Sequence, residues 1–234
     1  LKQFKKKDFI KKIKFNKSIV LKNIDFKYKN NKSKTLNKIN FRIKKNDFIG
    51  IIGESGSGKT TLINVIIGLI KPTRGQIFVD NKQIENQDLN WINKIGYVPQ
   101  NTFILDASLK ENIAFGRNKN EIDQRKVVEL LKLTQLSKFL SSSRKKNNIQ
   151  VGERGSRISE GQKQRIGIAR ALYKNPEILV FDEITSSLDQ DTENKIMTDV
   201  NKLKGKKTIL FISHKKHILK KYNKIIEIKN QKIK

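Results

Sequence analysis

The sequence predicts an α/β fold with a mainly parallel sheet, an N-terminal antiparallel β subdomain and an inserted α-helical subdomain. Three observations carry that prediction. Continuous apolar runs, Ile178-Leu179-Val180-Phe181 and residues 208–213, alternate with helix-period segments, the texture of parallel strands buried on both faces. From Ser18 to Ile43 apolar and polar residues alternate around a polar turn at residues 30–34, as half-buried strands do. Between about residues 101 and 172 the periodicity becomes helical.

Residues 1–17 hold eight lysines and one aspartate and read as a basic linker or arm, a solvated connector rather than a membrane-bound helix, although Phe9, Ile10 and Ile13 could form a narrow apolar stripe against a membrane surface. A folded domain is expected over 18–234. Ile19, Leu21, Ile24 and Phe26 mark one strand, and Ile39, Phe41 and Ile43 another. Tyr28, at a strand end, is the aromatic best placed to stack on a nucleobase. Residues 71–75 form a turn and residues 76–80 a strand. Residues 95–100 form a further strand, ended by Pro99. Ser108 caps a helix over 109–115 with Glu111 in the capping-box position. Ile122, Val127, Val128, Leu130, Leu131 and Leu133 give 121–133 a helical stripe, and 141–148 is a polar loop. Ser159 reads as the N-cap of a helix over 160–173, and Pro176 stops it. A helix over 191–203 and a last strand over 225–228 complete the chain.

The stretch Gly53-Glu54-Ser55-Gly56-Ser57-Gly58-Lys59-Thr60, followed by Thr61, sits between the strand 48–52 and a helix over 62–70. Strand, glycine turn and helix in that order cradle nucleotide phosphates, because backbone N–H groups and the helix N-terminus converge on the anion. Lys59 would reach the β- and γ-phosphates, and the Thr60 hydroxyl would sit on Mg²⁺. The stretch is therefore expected to form a P-loop NTPase core that binds a nucleoside triphosphate with magnesium.

Ligands in parallel sheets bind at the carboxyl ends of strands, where Gly53, Gln100, Asp182, Glu183 and His214 all fall. Adjacent carboxylates at the end of a buried strand are costly unless a cation waits there. Mg²⁺ accounts for Asp182, and Glu183 becomes the candidate for polarising an attacking water. His214 stands where it would contact the γ-phosphate.

The composition sets limits. No cysteine is present, so disulfides, Cys-ligated metals and thiol catalysis are excluded. No apolar run approaches the ~20 residues of a membrane helix. The net charge of +29 suggests nucleic acid or an anionic surface. Lysine is nevertheless spread through loops and strands alike, and no aromatic–basic stacking pattern appears. Compositional bias and a nearby anionic leaflet explain the charge better than nucleic acid does.

Together with Ser159-Glu160-Gly161-Gln162, these residues resemble the nucleotide-binding domain of ATP-binding cassette (ABC) proteins, over nearly the whole chain from Ser18. The resemblance implies ATP and Mg²⁺ as cofactors. It makes Tyr28 the A-loop aromatic, Gly53 to Thr61 the Walker A stretch, and Gln100 the Q-loop glutamine, which also approaches the metal. Ile158 to Gln162 becomes the signature, Ile178 to Asp182 with Glu183 the Walker B stretch, Ser187-Leu188-Asp189 the D-loop, and His214 the switch histidine. It further implies a second nucleotide-binding domain paired head to tail, with Ser159, Gly161 and Gln162 closing on ATP held by the partner. Glu160 departs from the usual signature, which has glycine there. A carboxylate pointed at the γ-phosphate would repel it, so Glu160 is expected to face away.

Two local features are similar to exporter-type half-transporters: the run Asp106 to Ile113, and Val151-Gly152-Glu153-Arg154-Gly155, which looks like their X-loop. In that architecture a transmembrane domain precedes the cassette, the cassette lies on the cytoplasmic face of the cell membrane, and ATP hydrolysis drives export or flipping. A chain starting at Leu1 behind a basic connector fits that order. The stretch from Gly152 to Arg165 resembles flippases of lipid-linked saccharides. The alternatives are the ATPase of an importer or of a DNA-repair or chromosome complex. The latter would need a long coiled coil between Lys59 and Ser159, and no heptads occur there.

Overall fold

The computed structural model describes residues 13–31, 33–137, 151–152, 155–186, 188–214 and 222–233. Strands β1 (Ser18–Phe26), β2 (Leu36–Lys44), β4 (Arg74–Val79) and β5 (Lys82–Gln83) form an antiparallel sheet in the order β2-β1-β4-β5. A second sheet contains β3 (Phe48–Ile52), β6 (Ile95–Val98), β7 (Ile178–Asp182), β8 (Thr208–Ile212), β9 (Lys224–Lys229) and β10 (Lys232–Ile233), in the order β10-β9-β3-β8-β7-β6. From β9 to β6 all neighbours pair in parallel, so their carboxyl ends lie along one edge.

The central strands are buried on both faces. Ile178, Val180, Leu210 and Ile212 join Ile49 and Ile51 in one core, while Leu179, Phe181, Ile209 and Phe211 enter the other. Each such side chain contributes about 1.5–3 kcal/mol by leaving water, which is why these strands carry no polar alternation. The first core is closed by helix α1 (Lys59–Ile66), through Leu62, Ile63, Val65 and Ile66, and by the antiparallel sheet. The short helix α2 (Leu89–Ile92) adds Trp91, whose indole Nε1 donates to Ile66 O at 2.9 Å. That carbonyl lies in the last turn of α1, where intrahelical partners run out.

Helices α3 (Leu109–Ile113), α4 (Gln124–Leu133), α5 (Glu160–Tyr173) and α6 (Gln190–Asn201) build the second core. The Ser108–Glu111 capping box forms as the sequence suggests. Helix α4 starts later than residue 121, because Asp123 caps it through Lys126 N–H and a 3-10 turn occupies Lys119–Glu121. Helix α5 keeps the expected bounds, capped by Ser159. It lies directly on the parallel sheet: a Cβ on Gly167 would come 3.2 Å from Val98 Cγ1.

Among the described residues, burial extends ahead of Ser18. Ile13 and Phe15 are buried, and Phe15 meets the Trp91 ring edge-on at 6.3 Å. The Asp80 carboxylate accepts N–H bonds from Asn16, Lys17 and Ser18. Burial raises its pKa, but those donors outweigh burial and leave it below the ordinary aspartate range. Phe9 and Ile10 of the expected apolar stripe lie outside the described residues, as do 138–150, Glu153, Arg154 and Ser187.

Candidate functional site

Along the carboxyl edge of the parallel sheet, Gly53 follows β3, Gln100 follows β6, Asp182 ends β7 and His214 follows β8. A cleft of about 420 Å³ opens there, lined by Tyr28, Ser55, Gly56 and Gly58 to Thr61 on one side and by Gln100, Asp182 and Glu183 on the other. Asn31 and Thr35 also line it; nothing in their local sequence singles them out.

The glycine turn is sterically required. Gly58 has φ 103°, and a Cβ there would meet Thr35 O at 2.9 Å; a Cβ on Gly53, φ 151°, would lie 2.5 Å from Ile228 O. Lys59 starts α1 and is only 5% exposed. Its ammonium donates to Gly53 O and Glu54 O, each at 2.8 Å, and stands 3.9 Å from Glu183 Oε1. A buried cation is costly unless so paired, and anionic phosphate oxygens would be stronger acceptors than these carbonyls.

Asp182 is buried. Its Oδ2 accepts from Thr60 Oγ1 at 3.4 Å and from the Tyr97 hydroxyl at 2.9 Å. Burial first, then the Asp182 charge, raises the Tyr97 phenol well above the ordinary tyrosine range, so it remains a donor at neutral pH. Glu183 adopts φ 51°, a left-handed conformation costing about 1–2 kcal/mol for a side-chain-bearing residue. Its N–H donates to Ile212 O at 3.1 Å, and its Oε2 lies 3.0 Å from His214 Nε2. Strain of this kind persists where surroundings over-determine it, and functional sites are where it collects.

Tyr28 is 42% exposed, packs edge-on against Phe26 at 4.7 Å, and shares a 3.1 Å hydrogen bond with Thr61 Oγ1. That bond fixes an aromatic ring beside the start of α1, the placement a nucleobase platform needs. The Gln100 amide donates to Ser186 Oγ at 3.2 Å, while its backbone carbonyl accepts from Gln164.

Ser159, Gly161 and Gln162 are not brought to this cleft. They line a separate one of about 260 Å³ together with Arg165, Thr192 and Lys195. Glu160 lines neither cleft; its carboxylate pairs with Lys163 Nζ at 2.7 Å. Asp189 caps α6 by accepting Thr192 N–H, a bond that holds its carboxyl below the ordinary aspartate range.

The donor set suits Mg-nucleotide. Hard oxygens of Thr60 and Asp182 converge beside Lys59, and Mg²⁺ is held by one or two protein oxygens plus substrate phosphates. Among the described residues no three His, Cys, Asp or Glu side chains gather into a protein-only cage, so phosphate oxygens and water would complete the shell.

A family profile described as ABC transporter matches residues 36–186. The chain belongs to the ABC transporter family. Leukotoxin export ATP-binding protein LtxB of Aggregatibacter actinomycetemcomitans is 40% identical over 209 residues, covering 89% of this ABC chain and 29% of that protein. Alpha-hemolysin translocation ATP-binding protein HlyB of Escherichia coli is 38% identical over 219 residues, covering 93% of this chain and 31% of that protein. A solved bacterial Atm1-family ABC exporter with ATP bound superposes with a TM-score of 0.83 at 28% identity, covering 93% of this chain and 38% of that one. The ABC chain thus spans under a third of these two curated relatives. Their names concern toxin export or translocation, so the lipid-linked saccharide reading of residues 152–165 finds no support. They are not named for import or DNA repair either.

Tyr97 was not legible as a site residue. The alternation in 95–98 allows an inward or outward side chain, but its meeting with Asp182 depends on β6 lying beside β7, with Tyr97 opposite Val180.

Proposed function

We propose that this ABC chain binds and hydrolyses ATP as one of two head-to-tail domains that sandwich two Mg-ATP, driving export across a membrane. One observation supports this reading above the others. Lys59, Thr60, Asp182 and Glu183 share one cleft, whereas Ser159, Gly161 and Gln162 line another, so a site using both groups needs a second copy or a related domain.

Within the chain, Lys59 would exchange the Gly53 and Glu54 carbonyls for phosphate oxygens. Thr60 and Asp182 would hold Mg²⁺, which when bound neutralises charge on the β- and γ-phosphates. Glu183, braced by His214, is placed to accept the proton of the attacking water. Gln100 would approach the metal at the catalytic end of the cleft, and Tyr28 would stack on the base. Asp189, at the start of α6, would meet the partner domain. Among the described residues no helix is long and apolar enough to cross a membrane. In the proposed assembly a transmembrane domain, fused N-terminally, supplies the spans and chooses the cargo, and this domain works at the cytoplasmic face of the cell membrane.

The test is Glu183→Gln. Parent protein should hydrolyse Mg-ATP, while the variant should keep ATP binding, lose turnover by about a hundredfold or more, and accumulate as a dimer by light scattering. A Glu183→Gln protein that stays monomeric in saturating Mg-ATP at high concentration overturns the sandwich.

A further inference from the structure

Glu160 stands where the signature of the family carries glycine, in the first turn of α5, and its side chain is 58% exposed. A carboxylate there competes with any anion approaching the helix N-terminus, because both are drawn to the same positive end of the helix. In this chain the carboxylate is not free. Lys163, one turn further on, holds it at 2.7 Å and is itself only 22% exposed. The lysine stem runs past Gly155, where a Cβ would lie 3.1 Å from Lys163 Cε. Neither partner lines the cleft formed by Ser159, Gly161, Gln162 and Arg165.

We infer that Lys163 is a positioning residue that compensates Glu160, holding the carboxylate off the cleft and cancelling its charge so that a second copy's triphosphate can dock on the signature helix. This rests on the head-to-tail reading above. In the free chain the Glu160 carboxylate is more than half exposed to water, where ion pairs contribute little to stability. Its effect emerges on docking. As water leaves, repulsion between an uncompensated carboxylate and the triphosphate grows with the falling dielectric. Lys163 therefore acts on association and hardly at all on folding.

The test is a double-mutant cycle in the Glu183→Gln background, reading the Mg-ATP concentration for half-maximal dimer by light scattering. Lys163→Gln keeps most of the stem and should raise that concentration about tenfold, with an unchanged thermal midpoint; Lys163→Arg should restore it. With Glu160→Gly also present, Lys163→Gln should shift it by less than about twofold. Equal shifts in the two backgrounds, or a shift that tracks a lowered thermal midpoint, overturn the compensation. If the Glu183→Gln parent forms no dimer with Mg-ATP, the head-to-tail reading fails and the compensation falls with it. A parent that dimerises while the cycle shows no coupling sinks the compensation alone.

Discussion

The Tyr97 hydroxyl donates to Asp182 Oδ2 at 2.9 Å, joining the strand that leads to Gln100 to the carboxylate that also receives Thr60. Two neighbouring parallel strands are thereby pinned at the end where the nucleotide cleft opens. The bond fixes which way the buried carboxylate faces before any ligand arrives.

Tyr97→Phe should therefore cost stability and function separately. Removing one donor from a buried carboxylate oxygen costs about 1–3 kcal/mol in urea denaturation. On the proposed reading, loss of the oxygen's orientation also lowers ATP turnover about tenfold, with ATP affinity retained because Lys59 is untouched. Spectrophotometric titration gives an independent readout. Tyr97 ionises above the ordinary tyrosine pKa of about 10, so the variant should lose absorbance change only at the alkaline end. A raised folded-state pKa means that the associated stability is complete below about 10 and is lost as pH rises through the folded value. A variant whose stability and turnover match the parent would show the bond to be incidental.

Glu111 makes the corresponding case at acid pH. The Ser108 hydroxyl, then the Ser108 N–H, hold its carboxylate at a pKa of about 2 against an ordinary value of 4.5, with Lys119 assisting and burial opposing. Because the folded pKa is lowered, the stability it contributes is present above about 4.5 and drains away as pH falls toward 2. Glu111→Gln should destabilise the chain at neutral pH by about 1 kcal/mol, the scale of a lost helix cap. The gap between parent and variant should close between those two pH values. Urea midpoints collected from pH 7 down to the acid limit check this, and a gap independent of pH would assign the loss to packing.

Much of the chain was legible because its periods are local. The apolar runs at β7 and β8, the Ser108 and Ser159 caps, and the glycine turn before Lys59 all announce themselves within a few residues. Lateral strand order does not. Nothing near Tyr97 says that its strand borders β7, and nothing near Phe15 says that Trp91 will receive its ring or that Asp80 will accept the N–H groups of residues 16–18. A lysine-rich segment with two inward apolar residues looks solvated until those distant partners are in place. The signature residues were readable by resemblance, but their separation into a second cleft emerges only when α5 and α6 are packed.

That packing also gives Gly161 a structural reason to be glycine, distinct from any phosphate contact. A Cβ on Gly161 would lie 2.5 Å from Thr192 Cγ2, at the first turns of α5 and α6. Gly161→Ala should therefore cost about 1–3 kcal/mol by overpacking, although alanine alone would favour a helix. Thr192→Ser removes the offending methyl and keeps the backbone N–H that Asp189 caps. The double variant should recover more than half of the lost stability in urea denaturation. ATP-driven dimerisation then separates the two roles. If the double variant is stable yet fails to dimerise in the Glu183→Gln background, the glycine serves the partner's nucleotide as well as the helix contact. If dimerisation returns together with stability, the helix contact alone explains why this position lacks a side chain.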